Sequence, residues 1–110
     1  MIQDLLNKID TNEIVFADVI SFIEKNYTYS PSAFSNGKQV NAENENQGSA
    51  KVFSFAQLNN LSKEETLKLF VEHYQSVLET PEETNHQNIR QFMIYGWDGI
   101  KFEKQVLKLK

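Results

Sequence analysis

Cysteine is absent from the 110-residue sequence, and basic residues are the minority among its charges. Without cysteine the chain has no disulfides, thiolate metal sites or cysteine nucleophiles, a composition typical of a reducing compartment. Lys and Arg number 11 against 15 Asp and Glu, which gives a net charge of −4. Nucleic acid and anionic membranes are therefore not expected as partners, because neutralising phosphates requires clustered basic residues.

Long hydrophobic runs are also missing from the sequence. None approaches the roughly 18 apolar residues of a membrane span. The first ten residues, MIQDLLNKID, lack the basic and then apolar segments of a secretory signal peptide. Neither a glycine-rich phosphate loop nor a metal-ligand spacing is present, so we predict no cofactor and no metal site. These features favour a soluble cytoplasmic protein.

Aromatic and aliphatic residues are plentiful enough to build a core. Hydrophobic residues make up 40% of the chain, and they include eight Phe, four Tyr and one Trp. The length suits one domain and is too short for two ordinary ones. We therefore predict a single domain over residues 1–110, mainly α with a small β hairpin (α+β), arranged as a compact bundle of about five helices.

The helices are predicted from apolar residues at three- and four-residue steps and from their caps. A first helix carries Ile2 to Ile9, and a second, capped by Asp10 or Thr11, runs to about Asn26. A third follows an N-cap at Ser49. A fourth starts at the Ser62–Glu65 capping box and continues to Pro81, and the last starts at a Thr84–Gln87 capping box and ends at Gly96.

The remaining segments are predicted to be turns, loops and short strands. Asn36-Gly37 is a strong turn dipeptide, and residues 36–49 are predicted to form a long polar loop. We expect donors on the last helix, Asn88 and Arg90, to hold this loop through Glu43 and Glu45. The lysine-rich C-terminal segment from Ile100 predicts a short strand or a hairpin. Trp97 is predicted to fold back on Phe92 and close the last helix.

Four stretches in order resemble one known family: NQGSAKVFSFAQLNNLS, LFVEHY, TPEETNHQNIRQFM and GWDGIKFE. The most specific pieces are N-x-G-S-x-K-V-F from Asn46 to Phe53, H-x-N-I-R from His86 to Arg90, and Gly96-Trp97 with Gly99. Together they resemble the HopJ-type family of small bacterial proteins, named for a type III effector. The resemblance implies an effector delivered into host cells, so export through type III secretion is the alternative to a cytoplasmic location. It implies no particular chemistry.

The candidate binding surface combines residues from two separate segments: Asn46, Gly48, Ser49, His86, Asn88, Arg90 and Trp97. His86 is predicted at the second position of the last helix, where the positive end of the helix dipole disfavours its protonated form. It could act as a base, or it could pack over Ile89 and Arg90. Ser49 could belong to an anion-binding turn, or it could be an ordinary N-cap. Trp97 could be an interface anchor or the buried end of its helix.

Two functions remain open from these residues. The leading hypothesis is a non-enzymatic interaction domain with an unknown protein partner, because no complete catalytic set is visible. The alternative is a small enzyme or a binder of an anionic metabolite, using His86, Asn88, Arg90 and the Asn46–Ser49 turn. A metal site made by His73 and His86 would lack the repeated short spacing of specific metal motifs. The alternative gains if the two segments meet around an open cleft.

Overall fold

A computed structural model describes residues 2–110, and it confirms the α+β class. Six α-helices lie in the described residues: α1 (Ile2–Asp10), α2 (Phe16–Asn26), α3 (Gln47–Leu58), α4 (Lys63–Lys68), α5 (Glu72–Glu79) and α6 (Gln87–Tyr95). The strands are β1 (Tyr27–Tyr29), β2 (Phe34–Asn36), β3 (Gln39–Asn41), β4 (Ile100–Phe102) and β5 (Leu107–Leu109). None of the helices between residues 2 and 110 is long and apolar enough to span a membrane.

The strands form two small antiparallel sheets that tie the two halves of the sequence together. β1 pairs with β5, and β2 lies between β3 and β4. Of the two alternatives predicted for the segment from Ile100, the short strand is confirmed as β4. The hairpin is wrong, because β4 and β5 belong to different sheets. The hairpin of the fold is instead β2–β3, with Gly37 and Lys38 in its turn.

The β2–β3 hairpin also corrects the prediction of a long polar loop over 36–49. The first part of this segment forms the hairpin instead, in which Asn36 pairs with Gln39 and Phe34 pairs with Asn41. Helix α3 begins at Gln47 and consumes its end, so that only residues 42–46 connect the two elements. Backbone pairing satisfies the polar groups that a loop would have left to side chains.

Helix α2 begins later than predicted, at Phe16, so the cap expected at Asp10 or Thr11 is wrong. The backbone N–H of Phe16 donates a 2.7 Å hydrogen bond to the Glu72 carboxylate, which lies at the start of α5. A carboxylate is stabilised at a helix N-terminus by the unpaired N–H groups and the positive end of the dipole. Part of the cap is therefore supplied from another helix, which local sequence patterns cannot reveal. Asp18 supplies the local part, because its carboxylate accepts from the backbone N–H of Val15 at 2.9 Å.

The predicted fourth helix is split into α4 and α5. Its capping box is confirmed by two hydrogen bonds. The backbone N–H of Glu65 donates to the Ser62 hydroxyl at 3.1 Å, and the backbone N–H of Ser62 donates to the Glu65 carboxylate at 3.0 Å. The helix nevertheless stops after Lys68, and Val71 adopts a φ of +47°. A β-branched residue in this region is strained, at a cost of about 1–3 kcal/mol. The break places Phe70 against Phe16, with ring centroids 5.8 Å apart.

Aromatic side chains fill the centre of the core and close helix α6. Phe53 is fully buried and contacts Phe92 at a centroid distance of 4.9 Å. Gly96 ends α6 with a φ of +59°, and the Trp97 ring packs edge-on against Phe92 at 5.0 Å. The indole N–H donates to the carbonyl of Leu61 at 3.1 Å. The predicted helix ending is confirmed in these contacts.

Candidate functional site

Helices α3 and α6 both begin after a residue in the left-handed conformation. Asn46 precedes α3 with a φ of +50°, and His86 precedes α6 with a φ of +53°. The predicted N-caps at Ser49 and Thr84 are therefore wrong, and His86 lies at the N-cap rather than at the second helical position. Neither Asn46 nor His86 makes a side-chain capping bond, so the first N–H groups of both helices are left open.

A network of asparagines holds the starts of the two helices side by side, and its members Asn36, Asn41 and Asn88 are buried. The side-chain oxygen of Asn41 accepts from the amides of Asn46 at 2.8 Å and Asn88 at 3.0 Å. The amide of Asn36 donates to the backbone carbonyl of Asn88 at 2.7 Å. The β2–β3 hairpin therefore bridges α3 and α6. Asn88 holds this segment, but through Asn36 and Asn41 rather than through the predicted Glu43 and Glu45.

A pocket of about 300 Å³ opens between the two helix starts. It is lined by Phe16, Gln39, Asn46, Gly48, Ser49, Phe70, His73, His86, Gln87, Asn88 and Ile89. Five of the predicted residues therefore meet there: Asn46, Gly48, Ser49, His86 and Asn88. A wider groove of about 800 Å³ along α5 collects none of the predicted residues.

Four backbone N–H groups of the lining residues have no acceptor in the described part of the chain: those of Gly48, Ser49, Gln87 and Asn88. They come from the first turns of α3 and α6, where the positive ends of two helix dipoles converge. No Asp or Glu lines the pocket. The pocket therefore has positive electrostatic character in a chain whose net charge is −4.

Two imidazoles form one wall of the pocket. The rings of His73 and His86 lie with centroids 5.1 Å apart, and His73 also meets the edge of Phe16 at 4.8 Å. Neither imidazole makes a hydrogen bond within residues 2–110. Burial lowers the pKa of His86 from its ordinary value, and the nearby His73 and Arg90 lower it further. The direction agrees with the predicted preference of His86 for its neutral form, but the main cause of the lowered pKa is burial rather than the helix dipole.

Arg90 and Trp97 lie outside the pocket. The guanidinium of Arg90 donates to the carbonyl of Asn85 at 2.6 Å and to its side-chain oxygen at 2.9 Å. It therefore holds the α5–α6 connection, and the predicted contacts with Glu43 and Glu45 are wrong. Glu43 pairs with Lys104 at 3.2 Å, and Glu45 caps the backbone N–H of Ala42 at 2.9 Å.

The pocket residues that were not predicted include three rings from distant parts of the sequence: Phe16, Phe70 and His73. Phe16 and Phe70 match a helical core stripe, and only the break at Val71 brings Phe70 to the pocket. His73 and His86 were paired from the sequence only as a metal site without a specific spacing, and the contact between their rings was not predicted. The signal that joins them is that they are the only histidines of the chain.

The geometry of the pocket suits a ligand that accepts hydrogen bonds and carries negative charge. Free N–H groups, the Ser49 hydroxyl and two imidazoles all offer donors to one space. No hydrogen bond joins Ser49 to either histidine among the described residues, so no activated nucleophile is assembled. No group of three or more His, Asp or Glu side chains in residues 2–110 is arranged to hold a metal ion.

Comparison with known proteins gives one family and one solved structure. The HopJ type III effector protein family matches residues 2–107. The crystal structure of a protein of unknown function, VPA0580, is similar, with a TM-score of 0.90 and 45% sequence identity. The similarity covers 98% of this chain and 92% of that one. None of the curated proteins matches the chain.

Proposed function

The chain belongs to the HopJ type III effector protein family, and we propose that this member binds a small anionic ligand in the pocket between α3 and α6. The observation that carries the proposal is the convergence of two helix starts with four unpaired backbone N–H groups. Such groups form ready-made anion sites, because they donate hydrogen bonds and the helix dipole adds positive potential. The family name states an effector role and no chemistry, so the ligand chemistry is read from the pocket.

A cation is the poorer match for the same pocket. Two imidazoles resemble part of a metal site, but the positive ends of α3 and α6 oppose a bound cation. The pocket also lacks a carboxylate to offset that repulsion. An anion meets the opposite situation, since each dipole contributes about 0.3–1 kcal/mol of stabilisation and the N–H groups add hydrogen bonds.

Binding of a protein partner is a second candidate function, favoured by a different surface. Leu78 and Ile94 are 48% and 67% exposed, and they flank a groove between α5 and α6 that also includes Pro81 and Met93. Exposed apolar residues that cluster in this way are typical of interaction surfaces. This groove differs from the candidate binding surface predicted from the sequence, of which it includes only Arg90.

A role as a type III effector rests on the family name alone. Helix α1 buries Leu5, Leu6 and Ile9 against the core, so passage of this segment through a secretion channel would require it to unfold. We propose that the ligand-binding role is carried out in the cytoplasm of the producing cell. A reporter fused after Lys110, followed in secreted and cellular fractions, tests this location, and type III-dependent secretion of the fusion would contradict it.

Anion binding is tested by thermal unfolding in inorganic phosphate against chloride at equal ionic strength. A ligand that binds only the folded state stabilises it by about 1.4 kcal/mol at ten times its Kd. Ser49→Asp places a carboxylate in the first turn of α3, which suits the helix and repels an anion. Ser49→Asn is the matched neutral control.

We expect phosphate to raise the Tm of the wild type and of Ser49→Asn, and to leave that of Ser49→Asp unchanged. The proposal is wrong if phosphate has no more effect than chloride on the wild type. It is also wrong if the two Ser49 variants respond equally, because the anion would then be bound elsewhere.

A further inference from the structure

Helix α6 carries an isoleucine on the side that faces away from the core. The core side of the helix includes the buried Ile89 and Phe92. Ile94 is exposed, and it lies on the solvent side at helical spacing from Arg90 and Gln91. Isoleucine is also a weaker helix former than alanine, lysine or glutamate. Neither the core nor the stability of the helix therefore explains Ile94.

Ile94 borders a groove of about 400 Å³ between α5 and α6. Of the apolar residues that line this groove, Val77 is buried and Met93 is half-buried, whereas Leu78, Pro81 and Ile94 are exposed. Methionine adapts its unbranched side chain to irregular partners and is common at protein-binding surfaces. A groove of this kind between two helices suits the apolar face of a third helix.

The chain around this groove is acidic. Residues 69–89 contain four Glu and no Lys or Arg. Three of them, Glu79, Glu82 and Glu83, are exposed and follow groove residues directly in the sequence. None of the three forms an ion pair in the described part of the chain. The edge of the groove therefore offers carboxylates to a partner.

Arg90 is the one basic residue among the described residues that line the groove. Its guanidinium donates to the carbonyl and side-chain oxygens of Asn85 at 2.6 and 2.9 Å, and to the carbonyl of Pro81 at 3.3 Å. These acceptors are neutral, and they use donors that an anionic partner would need. A partner at this groove meets three carboxylates against one guanidinium, so a cationic partner is favoured.

Resting on the protein-binding function proposed for this groove, we infer that its partner is a basic amphipathic helix. The apolar face of that helix lies on Leu78, Met93 and Ile94, and its Lys or Arg side chains reach the three carboxylates. The nine residues of α6 span about 13 Å at 1.5 Å per residue, which matches about two to three turns of a partner helix. The partner is thus recognised by one apolar stripe with basic residues beside it.

The test measures binding of three fluorescein-labelled peptides to the full chain by fluorescence anisotropy. The first peptide has about 15 residues, enough to be helical when isolated, with leucines on one face and lysines on the other. The second replaces every lysine by glutamate, and the third has the composition of the first with its leucines spread around the helix. We expect the first peptide to bind the wild type about tenfold more tightly than either of the others, because it alone matches both the apolar groove and its charge.

Ile94→Ser removes an apolar contact of the groove, and Leu109→Ser is its matched control. The two positions are 67% and 70% exposed, but Leu109 lies on β5 and does not line the groove. We expect Ile94→Ser to weaken binding of the basic peptide about tenfold and Leu109→Ser to leave it unchanged. Because both side chains are exposed, both variants should stay folded, which thermal unfolding checks.

Glu82→Lys and Glu103→Lys test the charge complementarity. Each variant replaces a charge of −1 by +1, so both change the net charge from −4 to −2. Glu103 is exposed after β4 and does not line the groove. We expect Glu82→Lys to weaken binding of the basic peptide about fivefold at low salt, and Glu103→Lys to weaken it by less than about twofold. Added salt should remove most of this difference, since it screens exposed charges.

The outcomes separate this inference from the protein-binding function on which it rests. If the acidic or the scrambled peptide binds as tightly as the basic one, and Ile94→Ser weakens that binding, the groove still binds protein segments but the inference is overturned. Equal effects of Glu82→Lys and Glu103→Lys also overturn the inference alone. If no peptide binds the wild type, or if Ile94→Ser and Leu109→Ser bind alike, both the inference and the protein-binding function of this groove are wrong.

A second copy of this chain is the competing occupant of the groove. Residues 101–110 include four Lys, but they contain most of β4 and all of β5 rather than a helix, so they do not provide the helical stripe that the groove fits. Sedimentation equilibrium of the chain without peptide is therefore expected to give a monomer. A dimer that Ile94→Ser dissociates would mean that a second copy covers the groove, and it would overturn the inference.

Discussion

The two ends of helix α6 differ in whether their polar groups find partners within the protein. Its C-terminal end is closed by Gly96 and Trp97, with the indole N–H bonded to Leu61 and the ring against Phe92. Its N-terminal end starts at His86, leaves backbone N–H groups unpaired and opens into a pocket. One end is satisfied within the protein and the other is not. In a native fold, unpaired donors at an open pocket are more informative about function than a well-packed aromatic seal.

The largest expected effect comes from removing the aromatic seal. Trp97→Ala should destabilise the fold by about 3 kcal/mol, since it removes a partly buried ring that touches Phe92. Urea unfolding measures the loss, and Ile94→Ala, at a position of α6 that is 67% exposed, is the control. A loss below about 1 kcal/mol, the range of ordinary surface changes, would show that the C-terminal end is not the stabilising end.

The asparagine network should come second in effect. Asn41→Ala leaves the amides of Asn46 and Asn88 without their shared acceptor, at a cost of about 1–3 kcal/mol. The neighbouring Val40→Ala, 76% exposed, should cost much less. Asn41→Ala could lower the free energy of unfolding more than Trp97→Ala does in the same urea measurement. The N-terminal end of α6 would then contribute more stability than its C-terminal end, which is the reverse of our expectation.

Arg90 extends the comparison to the segment that leads into the N-terminal end of α6, because its side chain holds the connection between α5 and α6. Arg90→Ala should cost about 1 kcal/mol, since its bonds to Asn85 and Pro81 are lost. Amide hydrogen exchange should rise in residues 80–86 and stay unchanged in 41–49. Arg90→Lys keeps the charge without the planar fork and should resemble the alanine variant. Increased exchange in 41–49 would instead restore the predicted role of Arg90 in holding that segment.

The smallest expected effect is a dependence of stability on pH that comes from His86, at the N-terminal end of α6. The pKa of His86 is lowered in the folded protein, so the unfolded chain binds the proton more tightly and stability falls as the pH drops through about 6.5. His86→Asn tolerates the left-handed conformation and should lose less Tm than the wild type between pH 7.5 and 5.5. Equal losses in both proteins would mean that His86 does not contribute to acid sensitivity.

Local signals were sufficient to predict the ends of several helices. The Ser62–Glu65 capping box and the Gly96–Trp97 ending depend on residues within a few positions of each other, and both are found as predicted. The members of the site near His86 were also predicted, but as two separate segments. Their convergence depends on Asn41, whose partners lie five and 47 positions away in the chain.

Other parts of the fold could not be read from sequence patterns. The apolar period continues through Val71 without glycine or proline, so nothing local indicates the break between α4 and α5. The starts of α3 and α6 depend on Asn46 and His86 in a conformation that their residue types permit but do not require. Tertiary contacts, such as the Asn41 bonds and the Phe16–Phe70 stack, decide between the local alternatives.

The pairing of β1 with β5 has a consequence for the order in which the protein folds. Tyr27 lies opposite Leu109, so this sheet joins positions separated by most of the sequence. Closing so long a loop is entropically costly before the intervening helices have condensed. We therefore expect the helical core to form in the transition state and the strands to pair afterwards. Pulse-labelled hydrogen exchange during refolding should show α3 protected before β1. During synthesis, the helices would then form while Tyr27–Tyr29 has no partner strand, because β5 follows all six described helices in the sequence.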